Sequence, residues 1–234
     1  MIKRYILVLI FPIITLLSYG QKKEFKPEWN VGVGFGPTFS SVDFQVTRLS
    51  RGPSTKNMPQ YHGGIAVRYL SENHLGFIAE LNYSQQGWEE SFDRAEGAPE
   101  YAHSHQLNYL ELPFMTHIYF GNKVRFILNL GPKISFLISD SEKMNQELSD
   151  YLSSGDVPVT MATHQYYRMA DKKIDYGLIV GMGLEFRTGI GSFALEGRYS
   201  FGLGDIYNNT KSDVFSRSAN RVISAKLTYY VKLF

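Results

Sequence analysis

The chain has 234 residues, a formal net charge of +2 and no cysteine. That length suits one domain or two small ones. The small net charge, without a Lys/Arg run, argues against a nucleic-acid partner, and the missing thiols exclude a disulfide framework, a thiolate metal site and a lipidated N-terminal Cys.

The N-terminus pairs Lys3 and Arg4 with an apolar run, Ile6 to Leu17, and then a small-residue exit at Ser18-Tyr19-Gly20. This is the pattern of a secretory signal peptide, too short for a good membrane-spanning helix. Residues 1–20 therefore read as a cleaved signal and 21–234 as one domain, although Tyr-Gly before Gln21 departs from the usual Ala-x-Ala. No later segment approaches the ~18–20 consecutive apolar residues of a membrane helix.

From Trp29 onward, hydrophobicity alternates with a period of two, the signature of strands. The first strand, Trp29 to Ser41, carries Trp29, Val31, Val33, Phe35 and Phe39 opposite Asn30, Gly32, Gly34 and Ser40. Strand two, Gln60 to Ser71, sets Ile65, Val67 and Tyr69 against Arg68, and strand three, Leu75 to Trp88, sets Phe77, Leu81 and Tyr83 against Glu80 and Asn82. Strand four, His105 to Phe120, places Leu110, Leu112, Phe114 and Ile118 opposite Tyr109, Glu111, Met115 and His117. After Gly121-Asn122, a tight-turn signal, strand five runs from Lys123 to Ser139. Between Asp140 and Lys172, Met144, Leu148, Tyr151 and Leu152 recur at helical spacing and predict a short amphipathic helix.

Strands six and seven, within Asp175 to Ile206, give the clearest pattern. Tyr176, Leu178, Val180, Met182, Leu184 and Phe186 oppose a face of Asp175, glycines, Glu185 and Arg187; after a turn at Gly189-Ile190-Gly191, Phe193, Leu195, Tyr199 and Phe201 oppose Glu196 and Arg198. An eighth strand, Arg221 to Phe234, closes the series.

Long loops (42–59, 89–104, 140–172 and 204–220) alternate with turns of a few residues. Short turns at one end and long loops at the other are the asymmetry of an outer-membrane barrel. The reading is an all-β, eight-stranded antiparallel up-and-down transmembrane β-barrel, lipid outside and polar lumen inside, located in the outer membrane. A soluble lipocalin-like barrel or sandwich fits less well: strands of roughly 12–16 residues are long for a sandwich, and the aromatic bulk would overfill an eight-stranded bore.

The inward parity collects Arg68, Glu80, Glu111, His117, Arg125, Lys133, Asp175, Glu185, Arg187, Glu196, Arg198 and Lys226. Both signs occur in similar number, which predicts a salt-bridged plug, because a buried charge without a partner costs several kcal/mol. For catalysis, His62, His74, His103, His105 and His164 with Ser50, Ser54 or Ser104 are the candidate pairs, but no Gly-x-Ser-x-Gly or His-Glu-x-x-His spacing occurs. No catalytic residue or cofactor is expected. His103 and His105 share one face of an extended segment but have no carboxylate or third His at matching spacing, so no metal is assigned. Tyr151, Tyr166 and Tyr167 in the third loop are the candidate surface for a protein partner outside the cell. Other expected partners are outer-membrane lipid and, through Phe234, the barrel-assembly machinery, although the hydrophobic parity near that end belongs to Leu233, Val231 and Tyr229. A monomer is expected.

Two patches carry a family resemblance. The run NYLELPFMTHIYF (Asn108 to Phe120), and DYGLIVGMGLEF followed by ALEGRYSFGLGDI, resemble the PorT family of outer-membrane β-barrels of Bacteroidota. The resemblance implies a barrel without known catalysis, one of whose members assists the type IX secretion system. The alternatives it leaves are a small-solute pore, a secretion accessory and a surface ligand-binding barrel.

Overall fold

A computed structural model describes residues 25–47, 52–92, 99–155, 157, 163–210 and 213–233. The signal segment 1–20, Ser50 and Phe234 lie outside the described residues. The elements are β1 (Glu28–Val46), β2 (Thr55–Lys56), β3 (Met58–Glu72), β4 (Leu75–Glu90), β5 (His103–Gly121), β6 (Val124–Met144), α1 (Gln146–Ser154), β7 (Ile174–Thr188), β8 (Gly191–Gly202) and β9 (Phe215–Lys232). Eight long strands pair antiparallel with their chain neighbours, and β9 returns to β1, from Asn30↔Lys232 to Val46↔Phe215. The two-residue β2 only extends the loop end of β4. The result is a closed eight-stranded barrel. Closure removes the edges, and with them the unpaired N–H and C=O groups that hydrocarbon cannot solvate.

Four prolines sit inside strands: Pro59 at the start of β3, and Pro37, Pro113 and Pro132 further in, where the β1–β9, β4–β5 and β5–β6 ladders each break beside one of these three. The missing N–H accounts for those breaks. At the short-turn end, Gly121 takes φ +109°, and a Cβ there would run into the backbone of Val124. Only glycine accepts both conditions comfortably.

The exterior is apolar. Val33, Ile65, Phe114, Leu130, Leu178, Met182, Leu195 and Leu227 are all exposed, an arrangement water would penalise and acyl chains do not. Aromatic rings bound this belt: Trp29, Tyr69, Phe120, Phe186 and Tyr229 near the turns, Phe39, Tyr61, Tyr83, Tyr176 and Tyr199 toward the loops. Phe186 and Tyr176 are ten residues apart on β7. At about 3.3 Å per residue and a tilt of ~40°, that is roughly 25 Å of height, the apolar band of an outer-membrane barrel. Beyond the loop-side girdle the outer face turns ionic, with Arg217 and Arg221 on Asp43 at 3.3 and 3.0 Å. The described helix is too short to cross a membrane; the chain crosses with strands.

The strands run further toward the loops than their alternation predicts. β1 continues to Val46, β6 to Met144, and β9 begins at Phe215 rather than Arg221. The helix expected in the third loop is present as α1, but Met144 belongs to β6; Asn145 caps the helix, its side chain accepting from Leu148 N, and Gly155 ends it in the left-handed region. In these extensions the outward positions, such as Asp43, Gln45, Ser141, Lys143, Ser216 and Arg217, are polar instead of aliphatic, because they stand above the lipid, and so they resemble loop sequence.

One irregularity reorients the loop end of β6. Tyr109 pairs with Leu137 but Asn108 pairs with Ser139, so Ile138 is an extra residue bulged out of the strand. A bulge shifts the parity of everything beyond it. Asp140 and Glu142 therefore face inward, opposite Leu107 and His105.

Candidate functional site

The bore is layered. Toward the turns, Leu70, Ile78, Met115, Tyr119, Ile127 and Tyr230 form an apolar cluster against which Phe25 packs. The middle holds the charges. Toward the loops, Val42, Trp88, Leu107, Tyr109, Ala170, Ile206, Tyr207 and Phe215 form a second cluster.

Of the charged residues the alternation points inward, five bases (Arg68, Arg125, Lys133, Arg198, Lys226) and five acids (Glu80, Glu111, Asp175, Glu185, Glu196) are buried. Arg198 grips Glu80 with both terminal nitrogens at 2.8 Å and Glu196 at 2.8 Å. Lys226 Nζ donates to Glu80 at 2.8 Å and to Asn82 at 2.9 Å; Asn129 donates to Glu196 at 2.8 Å. Gly181 lies beneath this group, and a Cβ there would meet the Glu196 carboxylate and Arg198 Cγ. Nearer the turns, Arg68 pairs with Glu185 at 2.9 Å and lies 4.1 Å over the Tyr230 ring, while Arg125 stacks 4.3 Å over Tyr119. Nearer the loops, Lys133 and Gln86 donate to Glu111 at 2.6 and 2.7 Å, and Asn220 donates to Asp175 at 3.0 Å. The Arg198–Glu80 and Arg68–Glu185 pairs join strands on opposite sides of the ring, so the network ties the cylinder across its diameter. Bidentate, charge-assisted geometry of this kind offsets desolvation.

His117 hydrogen-bonds Asn129 at 2.7 Å within the same interior. Arg187 does not join the network: it is half-buried at the turn-end rim, pairing with Glu28 at 3.3 Å. Asn82, Gln86 and Asn129 do join, and their inward parity was the signal for them; Asn220 joins as well, from a strand end that reads as loop.

The histidines and serines weighed for catalysis are dispersed. His62 is buried in the bore, lining a cavity of about 10 Å³ with Glu111, Lys133 and Arg198. His74 sits at a tight turn at the opposite end from the loops, its Nδ1 2.8 Å from the Tyr119 carbonyl. His164 and Ser54 are exposed and Ser104 is half-buried. Among the described residues none of these histidines hydrogen-bonds a serine hydroxyl.

The mouth is closed over. Phe44, Trp88, Tyr207 and Phe215 contact one another edge-on and stacked, with ring centres 5.1–6.5 Å apart. Burial together with the nearby Asp140 carboxylate holds the Tyr207 phenol above its ordinary range. The third and fourth loops lock together here: the N–H groups of Asp171 and Lys172 both donate to the Ile206 carbonyl at 3.1 Å. The three loop tyrosines do not form one surface. Tyr151 is half-buried and stacks on Tyr101 at 5.1 Å, Tyr166 is buried edge-on to His103 at 4.8 Å, and Tyr167 alone is well exposed.

A closed, upright ring with a greasy exterior, an ionic interior and turns and loops segregated to opposite ends defines a small transmembrane β-barrel. Residues 19–208 match the family model of the outer membrane protein beta-barrel domain, and the chain belongs to that family. Solved structures of similar fold include Neisserial surface protein A (13% identity, TM-score 0.45, covering 89% of this chain and 100% of that one) and OprG from Pseudomonas aeruginosa (9%, 0.46, 87% and 95%). Another is Ail, the attachment invasion locus protein of Yersinia pestis (12%, 0.40, 87% and 99%). A search among curated proteins gave no match.

Proposed function

We propose that this chain is a non-enzymatic structural or accessory barrel of the outer membrane whose bore does not conduct. The observation that carries this reading is the filling of the interior. The cavity bounded by His62, Glu111, Lys133 and Arg198 measures about 10 Å³, room for about one water, and an aromatic lid stands above it. In the middle of the bore, five buried acids beside five buried bases leave no excess charge to draw an ion through. Planar-bilayer recording of refolded protein tests it: the expected trace shows no stable conductance step, and a reproducible open level would return the small-solute pore to first place.

The finer placement among PorT-like barrels of Bacteroidota is supported by the two sequence patches that carry the resemblance. They fall on β5 and on β7–β8, where Glu111, Glu185, Glu196 and Arg198 build the plug. Export through a cleaved signal at residues 1–20 and assembly through Phe234 belong to the same reading, as does a monomeric state. A partner at the loops, such as a type IX secretion component, is supported by Tyr167 and Met169, 68% and 57% exposed on the third loop. Pull-down from outer membranes with Tyr167→Ala as control separates an accessory from a lone barrel.

A further inference from the structure

We propose a divalent transition-metal site, of the zinc class, at the loop-end mouth of the barrel, formed by His103, His105 and Glu142. One ligand atom from each of the three falls within 4.8 Å of the others. Both imidazoles are fully buried and Glu142 is partly buried. The sequence spacing alone offers two histidines on one face of β5; the bulge at Ile138 swings Glu142 of the neighbouring strand onto that face.

The surroundings suit a bound cation. Each histidine has a second carboxylate behind it. Asp140 hydrogen-bonds Nε2 of His105, whose Nδ1 has no hydrogen-bond partner. Glu90 lies 3.1 Å from Nδ1 of His103, whose Nε2 points to Glu142 at 2.8 Å. Histidine ligands characteristically present one ring nitrogen to the metal and the other to a carboxylate, which fixes the ring. Trp88 holds His105 from the side, stacked at 4.6 Å and 10°.

Charge points the same way. Three carboxylates, Glu90, Asp140 and Glu142, converge on two imidazoles, and among the described residues their only ion pairs are to those imidazoles. The middle of the bore has no such surplus. Nitrogen plus carboxylate donors fit zinc and its neighbours better than calcium or magnesium, which take oxygen alone. A cleft of about 440 Å³ lined by Lys56, Glu90, Tyr101, His103 and Asn145 gives a way in from the loop side.

The site would also fasten the lid. Glu142 accepts the Tyr167 N–H at 3.0 Å and Asp140 accepts that of Ala170, so the ligand strand already holds the third loop.

The chain has two tryptophans, and Trp88 touches the proposed site. Untagged, refolded full-length Trp29→Phe barrel is titrated with zinc chloride while Trp88 emission and heat of binding are followed. A change that saturates at one zinc per chain and reverses with EDTA is expected. Glu142→Gln should weaken it by at least ~10-fold, and His103→Asn/His105→Asn should abolish it. Folding is checked by the heat-modifiable gel shift; if the double variant does not fold, Glu142→Gln decides. No saturable binding, binding that climbs past many equivalents as scattered surface groups would give, or an unchanged affinity in Glu142→Gln would each overturn the proposal.

Discussion

The middle of the bore and its mouth are built from the inward faces of the same strands, with the parity of β6 shifted between them by the bulge, yet they solve burial differently. In the middle, acids meet bases: Glu80 with Arg198 and Lys226, Glu185 with Arg68, Glu111 with Lys133. At the mouth three carboxylates meet only two imidazoles, and apolar rings surround them. The difference teaches that polar residues inside a small barrel are not one category. A self-neutralised group needs nothing further and acts as a brace, whereas an unbalanced one is left poised for a cation.

The comparison breaks most visibly at its braced end. Arg198→Ala strips Glu80 and Glu196 of their shared partner, and removing one member of a buried pair costs about 3–5 kcal/mol. The temperature at which the folded band disappears in a heat-modifiability gel should drop clearly, and adding Glu80→Gln should restore part of it. No drop in Arg198→Ala would mean the brace carries no stability. Trp88→Ala opens a cavity under the lid, worth about 3–4 kcal/mol by analogy with buried aromatic truncations. Because it acts at the mouth, it should raise protease cutting within the third loop more than it lowers barrel stability; equal effects on both would deny that lid and barrel are separable.

On the outer face, Leu130→Arg puts a guanidinium at mid-height of the lipid belt and should cost about 2–4 kcal/mol, read as a shift in urea midpoint in vesicles. If the variant is as stable as the parent, that face does not meet acyl chains. The smallest effect belongs to Arg187→Ala. Its pair with Glu28 is half-exposed at the rim, and such pairs contribute about 0–1 kcal/mol; a loss as large as that of Arg198→Ala would put Arg187 into the brace after all.

Much of this was legible in sequence because a barrel wall obeys one simple rule. Alternation from Tyr176 to Phe186 identifies both faces of β7 without any knowledge of its neighbours, and the same holds for Glu80, Glu111, Glu196 and Arg198. Three things were not legible, each for a physical reason. Strand ends beyond the membrane carry polar residues on the outward face, so Val42–Val46 and Phe215–Asn220 resemble loops. A bulge is invisible to periodicity, and Ile138 hides the fact that Asp140 and Glu142 face His103 and His105. Contacts between loops depend on tertiary packing alone, which is why Tyr166, as polar-tipped as Tyr167 in sequence, is buried while its neighbour is exposed.

The orientation of the wall supports every other statement, and it can be read directly. The absence of native cysteine permits a spin label at each non-glycine position from Tyr176 to Phe186 in reconstituted barrels, the three glycines being left alone because a Cβ there meets the neighbouring strand. Oxygen accessibility should alternate with a period of two, high at Tyr176, Leu178, Val180, Met182, Leu184 and Phe186 and low between them. The opposite phase, or no alternation, would contradict the account.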